Sequence, residues 1–176
     1  MGRNRYLWCC YYLILLSSTS AFSEEFDRNK HFGKGWDDLD GNGLSTREEI
    51  LQASNISCLN LYLDPYSGTL INEDEVDIDH IISLKDAWEK GAEFWDQEKR
   101  VKFKNDSDNL TVSLRNINRS KGDKSFDEWL PPNQYNSVWF LVKVEHTCRK
   151  YALSCDYGKL TEMQFKYGKL RKGSQP

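Results

Sequence analysis

The sequence predicts an α+β fold: a ββα core with additional surrounding helices and a small N-terminal hairpin. Three observations lead there. Residues 76–82 and 109–114 alternate apolar and polar side chains with the period of two that suits strands. Asn116 to Lys124 follows the second strand and reads as a helix start or tight turn. Upstream, Leu59-Asn60-Leu61-Tyr62-Leu63 alternates too and stops at Asp64-Pro65-Tyr66-Ser67-Gly68, so a hairpin is expected there.

Taken in order, residues 1–23 have the pattern of a secretory signal: Arg3 and Arg5, an apolar stretch from Tyr6 to Leu16, then small residues that invite cleavage after Ala21 or Ser23. The apolar stretch falls well short of the ~20 residues needed to span a bilayer, so no stable membrane insertion is expected after cleavage. Residues 24–176 then read as one domain, with its motif core at about 76–133. Phe26 to Gly35 carries little signal and reads as a segment wrapping the surface. Asp86 to Trp95 has helical spacing, Gln97 to Phe103 continues as a second helix, Pro131-Pro132 breaks the chain, and Ser137 to Tyr151 reads as a long helix.

Six Trp, nine Tyr and eight Phe in 176 residues can fill a core despite a polar average. The formal net charge of −3 is unusual for a protein that binds nucleic acid. Its distribution matters more: residues 24–79 are strongly acidic, whereas Arg115, Arg119, Lys121, Lys124 and the chain beyond 143 are basic. Loss of the leader leaves Cys58, Cys148 and Cys155, so one disulfide and one free thiol are expected, with all three pairings open. Their spacing matches no zinc pattern.

The segment from Asp38 to Glu49 places Asp38, Asp40, Asn42, Gly43 and Glu49 at positions 1, 3, 5, 6 and 12 of a calcium loop. Ser45 stands where that loop wants an apolar residue. The plainer reading is an Asp/Gly-rich turn into a helix, with Ser45 or Thr46 as N-cap and Glu48 or Glu49 in the first turn.

The chemistry concentrates in Asp77-Ile78-Asp79-His80-Ile81-Ile82, Asn109-Leu110 and Asn118-Arg119-Ser120-Lys121-Gly122-Asp123-Lys124. A strand bearing a histidine, a second strand, and a helix bearing an asparagine form the layout of a ββα-metal site. Phosphodiester hydrolysis needs a base for water, a cation beside the phosphate and fixed geometry between them. Each need has a candidate here. Singly, each residue has a plainer role: Asp79 as a solvated strand carboxylate, Asn118 as a helix cap, Arg119 and Lys121 as a solvated face.

These three motifs resemble the HNH (His-Me finger) endonucleases, specifically the secreted branch related to the C-terminal domain of GmrSD-type restriction enzymes. The likeness extends to Asp38-Leu39-Asp40-Gly41-Asn42-Gly43, Thr46-Arg47-Glu48-Glu49, Ala87-Trp88 and Trp129-Leu130-Pro131-Pro132-Asn133, covering roughly residues 32–156. The resemblance implies His80 as general base, its second ring nitrogen held by a backbone carbonyl near Asn109. It implies Asp79 and Asn118 as ligands of one divalent metal, magnesium with manganese as an alternative, and Asp77 as a further metal contact or a support behind Asp79. Asn109 would fix the loop between the strands, and Arg119 and Lys121 would face the phosphate. Two departures stand out: Ser83 where relatives often have Pro, and Leu44 where they often have Cys.

The expected protein is therefore a secreted or periplasmic endonuclease acting on DNA, with RNA left open, low sequence specificity and an unknown oligomeric state. The competing expectation is a calcium-dependent binding module built on Asp38, Asp40, Asn42 and Glu49. Asn55, Asn105, Asn109 and Asn118 each begin an N-x-Ser/Thr sequon, and a glycan on Asn118 would abolish the expected metal site.

Overall fold

The computed structural model describes residues 24–56 and 60–173, with side chains through 169. The signal-like leader and Cys58 lie outside the described residues. Helices and two small antiparallel sheets make up the fold, as the α+β expectation requires.

The described residues open with α1 (Arg28–Phe32), a five-residue helix capped by the Asp27 side chain and driven into the interior through His31 and Phe32. A segment expected to run over the surface is thus partly core. α2 (Thr46–Ser54) starts at Ser45, whose hydroxyl accepts from Glu48 N while the Glu48 carboxylate accepts from Ser45 N, a reciprocal capping box. The hairpin follows as β1 (Leu61–Asp64) and β2 (Thr69–Asn72), in register from Leu61↔Asn72 to Asp64↔Thr69. Asp64 is wholly buried and ties the turn by accepting from Tyr66 N and from the Ser67 hydroxyl.

The second sheet pairs β3 (Val76–His80) with β4 (Leu110–Leu114), from Val76↔Leu114 to His80↔Leu110, and α5 (Arg115–Lys121) leaves β4 directly. Glu73–Glu75, just ahead of β3, is a 3₁₀ turn. Between the strands lie α3 (Leu84–Glu89) and α4 (Gln97–Lys104). The single helix expected over Asp86–Trp95 is interrupted, because the chain turns left-handed at Gly91 (φ 116°) and runs on as a 3₁₀ turn over Ala92–Phe94. Ser83 is the N-cap of α3, accepting from Asp86 N at 3.0 Å, which gives the departure from Pro a local purpose.

α6 (Ser137–Tyr151) has the expected bounds and buries Phe140, Leu141, Val144, Cys148 and Tyr151 on one face. α7 (Tyr157–Gly173) packs on it, and a Cys148–Cys155 disulfide ties the end of α6 to the segment leading into α7. The main core gathers Phe32, Tyr66, Ile81, Trp88, Phe103 and Phe140; a smaller cluster of Tyr62, Ile71, Val76, Ile78 and Val112 lies between the hairpin and the β3–β4 pair. Each such buried side chain contributes about 1.5–3 kcal/mol. Two cores thereby clamp β3, the strand that carries the motif.

Candidate active site

Asp79, His80 and Asn118 line one cavity of about 180 Å³, together with Phe26, Arg28, Ser83 and Asp123. β3 supplies the first two and α5 the third. The β3–β4 pairing and the immediate turn into α5 bring residues 79 and 118 to the same place.

His80 is buried, and its ring lies flat against Trp36, centroids 5.4 Å apart and planes 9° from parallel. Its Nε2 is 2.8 Å from the Lys104 carbonyl oxygen. A carbonyl only accepts, so Nε2 carries the proton and Nδ1 keeps the lone pair. The carbonyl expected near Asn109 is engaged elsewhere: Asn109 O accepts from Ile81 N at 2.8 Å. The end of α4 supplies the ring's anchor instead. Burial pushes the imidazole from 6.5 down to about 3, opposed by the bond to Lys104 O and reinforced by the charges of Arg28, Lys121 and Lys104. His80 is therefore neutral over the whole physiological range.

Asp79 is equally buried, and its carboxylate has partners within the protein. Tyr66 Oη donates to Oδ2 at 2.6 Å, and Lys121 Nζ donates to Oδ1 at 3.1 Å and to the His80 carbonyl oxygen at 2.6 Å. Burial raises the Asp79 carboxyl, while Lys121 and Tyr66 hold it down. Burial and the facing carboxylate push Tyr66 well above the ordinary phenol value. Lys121, expected on a solvated face toward phosphate, is wholly buried; its ammonium is committed to Asp79 and cannot meet substrate from that position.

Asn109 is also fully buried and grips Ile82 at both ends, accepting from its N–H at 2.9 Å and donating to its carbonyl at 3.1 Å. That grip fixes the chain just after His80. Arg119 is exposed on α5 and does not line the cavity. Asp77 shares the β3 face parity of Asp79 but lies outside the cavity, with Arg115 Nε 3.7 Å away. It stands apart from the other expected metal-site residues.

Among the described residues no three His, Cys, Asp or Glu side chains gather in a way that could hold a metal ion. A metal at the cavity would rest on one carboxylate, one amide and water, a donor set that suits a hard, strongly hydrated ion. The carboxylate oxygens of Asp79 have more lone pairs than Tyr66 and Lys121 consume, so the residues fit such an ion. In the separate Asp-rich loop, Asp38 accepts from the N–H groups of Gly41, Asn42 and Gly43, and Asn42 Nδ2 donates to Asp40 and Glu49. Those side chains brace the loop itself. Of the sequons, Asn105 and Asn109 are buried and bonded.

The family model for the C-terminal domain of GmrSD restriction endonucleases matches residues 26–157. The chain belongs to that family. An uncharacterized secreted protein of Arthroderma benhamiae is 35% identical over 116 residues, 56% of this chain and 57% of its own length, so the chain spans little more than half of that relative. No solved structure matches. No helix among the described residues is long and apolar enough to cross a membrane.

Four groups around this GmrSD C-terminal domain's cavity escaped the sequence reading: Arg28, Trp36, Tyr66 and the Lys104 carbonyl. Only the first had a local signal, since Asp27 before a short polar run flanked by Phe26 and Phe32 marks a helix start.

Proposed function

We propose that this protein is a secreted, metal-dependent HNH endonuclease that hydrolyses DNA phosphodiester bonds with low sequence specificity. The observation that carries the reading is the shared cavity of Asp79, His80 and Asn118, with His80 Nε2 tied to a carbonyl so that Nδ1 alone can accept a proton. Membership of a restriction-endonuclease domain family supports the same chemistry, and the secreted relative supports the location.

In this mechanism His80 Nδ1 takes a proton from the attacking water as its oxygen bonds to phosphorus, and the bond to the 3′ oxygen breaks. The products carry 5′-phosphate and 3′-hydroxyl ends, the departing oxygen taking its proton from solvent. Asp79 and Asn118 would hold a magnesium or manganese ion, which when bound supplies positive charge beside the phosphate and the departing oxygen. Lys104, through its carbonyl, and Trp36, through its ring, hold the imidazole in one tautomer and one plane. Asn109 fixes the turn that follows, and Lys121 and Tyr66 hold the Asp79 carboxylate in place. Among the described residues the cavity is lined by the motif elements and the start of α1, with no separate reading element, which fits weak sequence preference.

Incubation with plasmid and magnesium or manganese tests this reading. Nicking by the native protein that disappears with a chelator and with His80→Ala supports it; equal nicking by His80→Ala would discard it.

A further inference from the structure

The wall of the cavity contributed by Phe26 and Arg28 is the part for which the nuclease reading has so far no use. α1 is short but firmly anchored. Phe32 is wholly buried, the His31 ring stacks on Trp88 with centroids 4.0 Å apart, and Arg100 Nε donates to the His31 carbonyl at 2.9 Å. The Arg28 side chain therefore leaves from fixed backbone at the rim of the site.

Its guanidinium is also uncommitted. Among the described residues it takes part in no hydrogen bond or ion pair, whereas Lys121 is engaged with Asp79 and Lys104 with Asp37, and Lys85, the other cation of the cavity lining, lies 4.0 Å from Glu89. Its positive charge is felt at His80. An unpaired planar fork of N–H donors beside a small polar cavity suits an anion with two equivalent oxygens, and a phosphodiester offers that pair.

We propose that Arg28 is the phosphate contact of this site, donating two parallel N–H bonds to the non-bridging oxygens of the DNA phosphate that lies against His80. The inference rests on the nuclease reading for the identity of the phosphate and takes over the role expected of Lys121, whose ammonium is buried. Arg28 orients the phosphate against the base and counters its charge, and α1 becomes part of the substrate site.

Binding is measured by fluorescence anisotropy with a short labelled single-stranded oligonucleotide, in a chelating buffer so that nothing is cleaved. Arg28→Ala is expected to weaken binding at least about tenfold, and Arg28→Lys to restore part of it, keeping charge but losing the fork. Because Arg28 is exposed, both variants should melt as the native protein does. Replacing the phosphates by uncharged methylphosphonates should weaken the native protein by a larger factor than it weakens Arg28→Ala. Equal affinity of native and Arg28→Ala proteins, or no binding by the native protein, overturns the proposal. Arg28-dependent binding without cleavage under any metal would sink the nuclease reading alone, and cleavage indifferent to Arg28 would sink only this one.

Discussion

The Tyr66 hydroxyl lies 2.6 Å from Asp79 Oδ2, and both side chains are withdrawn from water, the tyrosine completely. With Lys121 Nζ at 3.0–3.1 Å from both oxygens, the carboxylate that the motif places before His80 is held by residues 13 and 42 positions away. Removing one member of a buried ion pair costs about 3–5 kcal/mol, because the other charge is left without a partner. Lys121→Met is thus expected to lose that much in denaturant unfolding, and Tyr66→Phe about 1–2 kcal/mol. The double variant Asp79→Asn/Lys121→Met should recover part of the stability and none of the cleavage. A Lys121→Met protein as stable as the native one would show that the pair does not hold the site together.

The depressed imidazole of His80 makes a second prediction. Between its folded value of about 3 and its ordinary 6.5, the unfolded chain binds a proton that the folded chain excludes. Stability from this group is therefore intact above about pH 6.5 and falls as the pH drops, by up to ~1.4 kcal/mol per unit. Comparing acid unfolding of the native protein with that of His80→Asn isolates the contribution, since Asp79 and Asp86, both raised by burial, act in the opposite sense in both proteins. Cleavage by the free protein should show no inflection near pH 6.5. An inflection there would mean that the ring is hydrated in solution.

What the sequence could reveal divides along physical lines. The period-two strands, the bounds of α6 and the meeting of Asp79, His80 and Asn118 in one cavity were legible, because each depends on local alternation, helical spacing or a motif of fixed order. Lys121 was not, since a lysine in a polar helical run looks like surface and only the fold brings Asp79 across to bury it. The Lys104 carbonyl could not be read at all: every residue has one, and no side-chain identity marks the one that will meet His80. Asp77 has the strand parity of Asp79 yet lies outside the cavity lining, as a shared strand face does not guarantee a shared cavity.

Asn109 supports a third expectation. Its amide satisfies both the N–H and the carbonyl of Ile82 in a fully buried position, so Asn109→Ala leaves two backbone groups unpaired, at about 1–3 kcal/mol each. Asn109→Asp keeps the acceptor for Ile82 N and sets an oxygen against Ile82 O, so it should be no better. Both are expected to lower kcat more than they raise KM, as they displace the chain beside His80 without touching substrate. Stability and kcat both unchanged in Asn109→Ala would refute the role.

The Cys148–Cys155 bridge closes a small loop, seven residues apart in sequence, at the junction of α6 and α7. Chain-entropy reasoning assigns such a loop about 2 kcal/mol. Cys148→Ala/Cys155→Ala should unfold at correspondingly lower denaturant and still cleave when folded, because the bridge lies outside the cavity lining. Activity that vanishes in a protein still folded by circular dichroism would place α7 in the site.

Trp36 supplies the last test, and it links fold to chemistry most directly. Desolvation is the largest cause of the lowered His80 value, and the stacked indole is part of what excludes water from the ring. Trp36→Ala hydrates the imidazole on one face while leaving the Lys104 carbonyl on Nε2, so the histidine should climb from about 3 toward 6.5 and the acid limit of cleavage should climb with it. An NMR titration of the His80 ring in both proteins reads the shift without reference to activity. If the ring titrates at the same pH with and without Trp36, its exclusion from water comes from β3 and α4 alone, and Trp36 serves only to hold the plane of the base.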